Sequence, residues 1–343
     1  MRNEILLVVG AMGLAAAEQA ADAQSRGCDR ACLESLATTY VAAVAASDSS
    51  QLPLARGAKF TENGQQLAIG DGLWNTATGR GGYGLHIDDV ERGQAVWIGT
   101  IREANIPTIL VVRLAIADRT IREIETLVVR NRDAAESLDA IGSPRRVLLE
   151  PVPEAERHSR AELVAIANRY FSGIERNDGR GDYPLAANCA RLENGAITAG
   201  DAALVTSPEV LSAPRASSSA VPAARPAAPP RMSCLEQFKT GMFHYVTRIR
   251  DRRFVAIDPE RGLAFAFAFF DNGAGDARNV TLSDGQRVVS GSAVPWTWQI
   301  AEVFKIERGL IGPVESVLHG VPYGMGSGWS THAEAMSSEP RSD

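Results

Sequence analysis

The segment Leu33-Glu-Ser-Leu36-Ala-Thr-Thr-Tyr40-Val-Ala-Ala-Val44 returns 130 positions later as Leu163-Val-Ala-Ile166-Ala-Asn-Arg-Tyr170-Phe-Ser-Gly-Ile174. In both copies the large apolar residues recur at the three- and four-residue steps that line one face of a helix. Asp48 and Asp178 keep the same offset. Pro53-Leu54-Ala55 and Glu62-Asn63-Gly64 reappear at an offset of 131 as Pro184-Leu185-Ala186 and Glu193-Asn194-Gly195. Glu91-Arg92-Gly93 matches Glu260-Arg261-Gly262 at 169, and Ile121-x-x-Ile124-Glu125 matches Ile311-x-x-Val314-Glu315 at 190. A single tripeptide match arises by chance, but an ordered series is the signature of an internal repeat. The chain reads as two homologous domains, 24–150 and 158–333, with a linker at 151–157 and a flexible tail at 334–343.

The growth of the offset has visible causes. Residues 202–232 form a Pro/Ala/Ser tract too poor in large apolar residues to fold alone, so a disordered insert is expected there. Asp271 to Pro295, rich in Gly, Ser, Asp and Asn, reads as an extended hairpin end. Each domain then has the same order: an amphipathic helix, an Asp-containing turn, a short strand ending at Asn-Gly, a short helix, and long strands. Ser159-x-x-Glu162 makes a capping box for the second long helix. The strands are expected at Gln94–Glu103, Thr108–Ala117 and Ile121–Val129, then at Arg253–Asp258, Leu263–Phe270, Trp296–Ile306 and Ile311–His319. Their alternation implies sheets with one face covered by helices, an α+β class.

Of 343 residues, 45% are hydrophobic, which excludes global disorder. No apolar run reaches the ~20 residues that span a bilayer, so no membrane association is expected. A formal charge of −6 argues against a nucleic-acid partner, which needs a basic face. Arg2, the apolar stretch Ile5–Ala17 and the small residues Ala21-Asp22-Ala23 have the layout of a signal peptide over 1–23, implying a periplasmic or secreted protein. Its removal leaves −4, which weakens any electrostatic argument further. Cys28, Cys32, Cys189 and Cys234 all survive cleavage, an even count that fits disulfides in an oxidising compartment. Their positions favour 28–32 with 189–234 and leave the other two pairings open. A zinc site lacks Cys-x-x-Cys and histidine ligand spacing, so no metal is expected.

With the order helix, Asp turn, short strand, helix and sheet in place, the chain resembles the SnoaL-like/NTF2-like superfamily. Asp71-Gly-Leu-Trp74, Pro295-Trp-Thr-Trp298, Phe304-Lys-Ile306 and Pro322-Tyr-Gly-Met-Gly-Ser-Gly-Trp329 further resemble a group of secreted, largely uncharacterised bacterial and fungal proteins. The resemblance implies two cone-shaped α+β barrels in tandem, each with a pocket between a curved antiparallel sheet and its helices. It also implies an internal pseudo-dimer within a monomer. The enzymes of that superfamily perform cofactor-free acid/base chemistry on apolar substrates, so no cofactor is expected.

Parity narrows the candidate residues. Trp296, Trp298, Ile300, Glu302 and Phe304 share one face of a strand. A carboxylate among aromatics is either a pocket acid with a raised pKa or an outward charge, and Glu302 is the leading proton carrier. Glu315, Val317 and His319 share a face of the last strand, and His244 is read with Arg248 and Arg250 on another, which makes His244 and His319 further catalytic candidates. Tyr245, Trp296 and Trp298 are expected to line the second pocket, and Tyr323 and Trp329 a flexible flap over it. Asp71, Trp74, Tyr83 and His86 are expected around the first pocket. Glu315 and Glu125 occupy equivalent positions, which favours a structural role such as pairing with Arg253 or Arg113.

Other motifs fail on context. Gly79-Arg-Gly-Gly-Tyr-Gly84 has no apolar strand before it and no long helix after it, so nucleotide binding is not supported. Ser327 is out of register for a nucleophile elbow. The four arginines of Arg248–Arg253 alternate over both faces and suit charge pairing. The expected activity is that of a lyase or isomerase acting on a small, largely apolar or aromatic metabolite. The alternatives are a non-catalytic binding protein for such a ligand, and a structural or interaction module.

Overall fold

The computed structural model describes residues 27–200, 232–289 and 293–342. The expected signal peptide and nearly all of the expected 202–232 insert lie outside them. The described chain is α+β, with two curved, unclosed sheets and few helices.

In the first half, helix α1 (Arg30–Ala46) starts at Asp29, whose carboxylate accepts the Cys32 amide, and stops at Ser47 in the left-handed conformation. Strands β1 (Leu54–Glu62) and β2 (Gln65–Leu67) turn at Asn63-Gly64, both at positive φ. After a 3-10 turn at Gly72–Asn75 come β3 (Ala77–Asp89), β4 (Gln94–Glu103), β5 (Ile106–Ala117) and β6 (Thr120–Val129). The sheet order is β2-β1-β6-β5-β4-β3, with β1 and β6 parallel. Helix α2 (Arg132–Asp139) and a short helix α3 (Arg146–Leu149) lead to the linker, where Val152 is buried and donates to the Glu260 carbonyl.

The second half repeats the order. Helix α4 (Arg160–Glu175) carries the capping box of Ser159 and Glu162. Then come β7 (Arg191–Glu193), β8 (Ala196–Ala199), α5 (Cys234–Lys239), a 3-10 turn (Met242–Tyr245), β9 (Val246–Asp258) and β10 (Leu263–Asn272). A small ribbon of β11 (Asn279–Thr281) and β12 (Arg287–Val289) precedes β13 (Trp296–Glu307) and β14 (Leu310–Val321). The sheet order β9-β10-β13-β14-β7-β8 matches that of the first sheet, with β7 and β14 parallel. After the short helix α6 (His332–Ala335), β15 (Arg341–Ser342) is added outside β9.

The strands differ from the expectation in being buried on both faces. In β10 the small residues Ala264, Ala266 and Ala268 lie under α4 with Phe171, whereas Phe265 and Phe267 point the other way. That other face is covered by the first sheet: Leu85, Val96, Ile98 and Val111 share a core with Phe265, Phe267, Ala301 and Val303. The layers therefore run helix, sheet, sheet, helix, and each buried Phe contributes about 1.5–3 kcal/mol. The Gly79–Gly84 segment, for which no strand was expected, lies in the first half of β3. Its glycines leave room for β4 side chains, Thr100 against Gly81 and the Trp97 ring against Gly84.

Both disulfides are formed, Cys28–Cys32 and Cys189–Cys234. The arginines of β9 are paired, and three of them buried: Arg250 and the part-exposed Arg248 with Asp271, Arg252 with Glu175, and Arg253 with Glu125 of the opposite sheet. The segment read as a flap and a flexible tail is instead a strap. Ser327, Ser330 and Arg341 converge on Asp251, a buried residue at positive φ, and Arg250 donates to the Met325 and Ala335 carbonyls. Trp329 reaches the first half, donating to the Thr61 hydroxyl at 2.8 Å with Lys59 over its ring.

Candidate functional site

Alternation along β13 decides which groups meet. Thr297, Gln299, Ala301 and Val303 face away from α4, so Trp298, Ile300, Glu302 and Phe304 face it. Between this face and α4 lies a cavity of about 50 Å³ lined by Tyr170, Ile174, Arg191, Glu193, Phe243, Tyr245, Val246, Phe270, Trp298, Ile300, Glu302 and Leu318. About 10–15 Å³ of such space holds one water, so the cavity itself takes a handful of non-hydrogen atoms. A longer ligand body would lie against the half-buried rings of Trp298 and Tyr245, which meet edge-on at 6.4 Å.

The polar groups are few and convergent. The Ser316 hydroxyl, opposite Glu302 across the β13–β14 ladder, donates to its Oε1 at 2.5 Å. Glu302 is 3% exposed. Burial pushes its carboxyl up to about 7, against the Ser316 hydroxyl and the Arg191 guanidinium, which favour the ionised form. Arg191 is held at one end by Glu193 and by Gln237 of α5, with its guanidinium 5.1 Å from the Phe243 ring centre. Glu302 Oε2, Tyr170 Oη and Arg191 Nε are all buried without a well-formed hydrogen bond. Three such atoms on one small cavity are the polar handles of a ligand site. Burial raises the phenols too, Tyr245 to about 12 and Tyr170 well above its ordinary value, so both are neutral donors near pH 7.

The offsets found in the sequence give this cavity a counterpart. Tyr40, Val44, Phe60, Glu62, Trp74, Leu110 and Thr126 line a space in the first half too tight for a water molecule. They match Tyr170, Ile174, Arg191, Glu193, Phe243, Ile300 and Ser316 at offsets of 130, 131, 169 and 190. The position matching Glu302 is Val112, buried in the first core. Glu62 is fully engaged by the Leu73 amide and by Arg130. The two sites share a framework, and Arg191 and Glu302 are present in one of them alone. Arg191 was not among the residues expected from the sequence, and no signal marks it: residues 56–61 and 187–192, which contain Phe60 and Arg191, share no identical position at the 131 offset.

The remaining candidates disperse. His244 sits in the 3-10 turn, exposed, and not on a strand face with Arg248 and Arg250. His319 is on the face of β14 opposite Leu318, half-buried, where burial and then Arg130 lower its pKa. Trp296 packs on Trp298 at 4.4 Å, outside the cavity lining. Tyr323 is 52% exposed on the strap, and Trp329 lies over Lys59 and Arg113 of the first half.

In the first half, Asp71 is exposed and Trp74 lines the tight space. Tyr83 points into the sheet–sheet core and donates to Glu315 Oε2 at 2.6 Å, and Arg145 also holds that carboxylate. His86 lies near Glu34 and Arg261, with burial lowering its pKa. Glu125 and Glu315 thus both serve the contact between sheets. Among the described residues, no group of three or more His, Cys, Asp or Glu side chains is arranged to hold a metal ion. No described helix is long and apolar enough to cross a membrane.

A family model described as a domain of unknown function, DUF8021, matches residues 156–318, the span that contains Tyr170, Arg191 and Glu302. No curated protein and no solved structure matches the chain.

Proposed function

We propose that the chain is a tandem SnoaL-like/NTF2-like protein, an internal pseudo-dimer. Its second pocket carries cofactor-independent lyase or isomerase chemistry on a small, largely apolar or aromatic metabolite. The observation that carries this reading is Glu302: a carboxyl 3% exposed, pushed up to about 7 by burial, facing the Tyr170 hydroxyl and the Arg191 guanidinium, where the matching position in the first half is Val112. A carboxyl with a pKa close to ambient pH gives up and takes back a proton with little penalty, which is what a general acid/base requires. Tyr170 Oη and Arg191 Nε are placed to donate to an oxygen on which charge develops. Glu193 and Gln237 hold Arg191 from the far side and set its direction. Trp298 and Tyr245 supply the apolar wall for the rest of the ligand. Neither His244 nor His319 lines this pocket. Two disulfides fit export to an oxidising compartment.

The test is native mass spectrometry of the protein incubated with metabolite extract from the cells that make it. The expected result is a retained ligand mass and a transformed product, with Glu302→Gln keeping the ligand, losing turnover and melting within a few degrees of the wild type. A ligand recovered unchanged from the wild type would make the protein a binding protein. Turnover equal in Glu302→Gln would remove Glu302 from the chemistry.

A further inference from the structure

The outer face of α4, away from the Glu302 cavity, forms one wall of a separate cleft of about 350 Å³. The other wall is the loop Asp178–Tyr183. Three arginines line it: Arg169 and Arg176, two turns apart and so about 10 Å along the helix, and Arg180 on the loop. Its floor is the Tyr183 ring, held between Gly173 and Gly181, where an added Cβ would approach the ring to 2.9 and 2.7 Å. Only glycine allows the ring to lie this close to both backbones.

The charges in the cleft do not balance. Arg169 pairs with Asp182, whose side chain is 93% exposed. Asp178 is occupied by the Arg180 backbone amide. Among the described residues, Arg176 and Arg180 pair with no carboxylate. The Arg176 side chain donates only to the Ser172 carbonyl among the described residues, and guanidiniums without a carboxylate partner on one concavity offer an anion several directed donors.

The first half shows that the scaffold does not need them. At the offset of 130, Thr39, Ala46 and Ser50 stand where Arg169, Arg176 and Arg180 stand, while Asp48 and Asp178 match. The helix, the Asp turn and the sheet beneath form in both halves, so the arginines answer to something other than folding. On a chain with a formal charge of −6, a cationic concavity also concentrates anions locally.

We infer that the Arg169–Arg176–Arg180 cleft binds a small organic polyanion, a molecule carrying two phosphate or carboxylate groups. The volume lies in the range of small-ligand sites, and the spread of the arginines suits two anionic groups better than one. The cleft is independent of the Glu302 pocket and of the chemistry proposed there.

Isothermal titration of the full chain with inorganic pyrophosphate at low ionic strength tests this. The expected result is a saturable one-to-one complex that weakens as salt is added. An Arg176→Ala/Arg180→Ala double variant should bind at least tenfold more weakly at an unchanged melting temperature, because both side chains are exposed. Glu302→Gln should bind as the wild type does, which separates this site from the pocket. Three outcomes overturn the inference: no saturable binding, equal binding by the double variant, or capture by phosphatidylglycerol vesicles without binding of free pyrophosphate.

Discussion

Arg30 at the start of α1 holds both carboxylate oxygens of Asp258, at 2.7 and 2.9 Å, across the boundary between the two sheets. The same contact runs in the other direction. Arg160 at the start of α4 holds both oxygens of Asp89, at 2.8 and 2.7 Å. Arg30 and Arg160 differ by the 130 offset and Asp89 and Asp258 by the 169 offset, so one arrangement is used twice with a near two-fold relation. Glu260 and Glu91 flank the two arginines in the same way. Each half thus clamps the strand turn of the other with its own helix start, and this fixes the two sheets face to face.

Because Asp258 and Asp89 are buried and the arginines only partly so, removing a guanidinium strands a buried carboxylate. Arg30→Ala and Arg160→Ala are each expected to lower the unfolding free energy by about 1–3 kcal/mol, below the cost for a fully buried pair. The two losses should couple rather than simply add, since Arg30 lies 3.7 Å from Asp88, the neighbour of Asp89, and Arg160 donates to the Ile257 carbonyl beside Asp258. Urea denaturation measures this; a loss under about 0.5 kcal/mol for both would make the clamps ornamental.

The disulfides should differ in weight. Cys189–Cys234 closes a loop of 45 residues and Cys28–Cys32 one of four. Loop-closure entropy gives the longer bridge up to about 4 kcal/mol and the shorter roughly half of that. Replacing Cys189 and Cys234 by Ser should therefore lower the melting temperature more than replacing Cys28 and Cys32. It should also loosen Gln237, and through it Arg191.

A pH effect follows from Asp88. Burial and then the neighbouring Glu34 push its carboxyl up to about 8, despite Arg30 and Arg261 at 3.7 and 4.0 Å. His86 lies close by on the same strand. A folded-state pKa above the unfolded one means that the folded protein holds the proton more tightly. The stabilisation is full below about pH 4 and is lost as pH rises towards 8. Asp88→Asn should flatten the fall of melting temperature between pH 4.5 and 8.5; parallel curves for variant and wild type would contradict this.

The first half already shows what the second pocket looks like without its acid. With Val112 as the precedent, Glu302→Val should leave the unfolding free energy unchanged or raise it by about 1 kcal/mol, because an apolar group replaces a buried carboxyl. A loss of more than about 2 kcal/mol would show that Glu302 holds the fold together and would remove the argument that it is kept for chemistry.

Much of this was legible in the chain. The β4 boundaries and the capping box on α4 follow from periodicity and spacing; spacing favoured the disulfide pairing without excluding the other two, and parity grouped Glu302 with Trp298 and Phe304 without deciding which way that face turns. β3 was hidden because Gly79, Gly81, Gly82 and Gly84 have no side chains to carry an alternation. The start of β9 was hidden because Arg250 and Arg252 are buried against Asp271 and Glu175, partners far away in sequence. The strap was misread because glycines and serines suggest mobility, whereas Ser327 and Ser330 are fastened to one buried aspartate. His244 and His319 drew notice as residue types, but only the sheet geometry shows which side of the strands each occupies.

The Glu302 carboxyl is the group on which the proposed chemistry depends. A carbon-13 NMR titration of protein labelled at the glutamate side-chain carboxyls measures it without any knowledge of the substrate. The prediction is one resonance titrating near 7 that is absent in Glu302→Gln. If the resonance lost in that variant titrates in the ordinary range, near 4, Glu302 is ionised at neutral pH, with Ser316 and Arg191 offsetting its burial, and the acid/base reading of the pocket is contradicted.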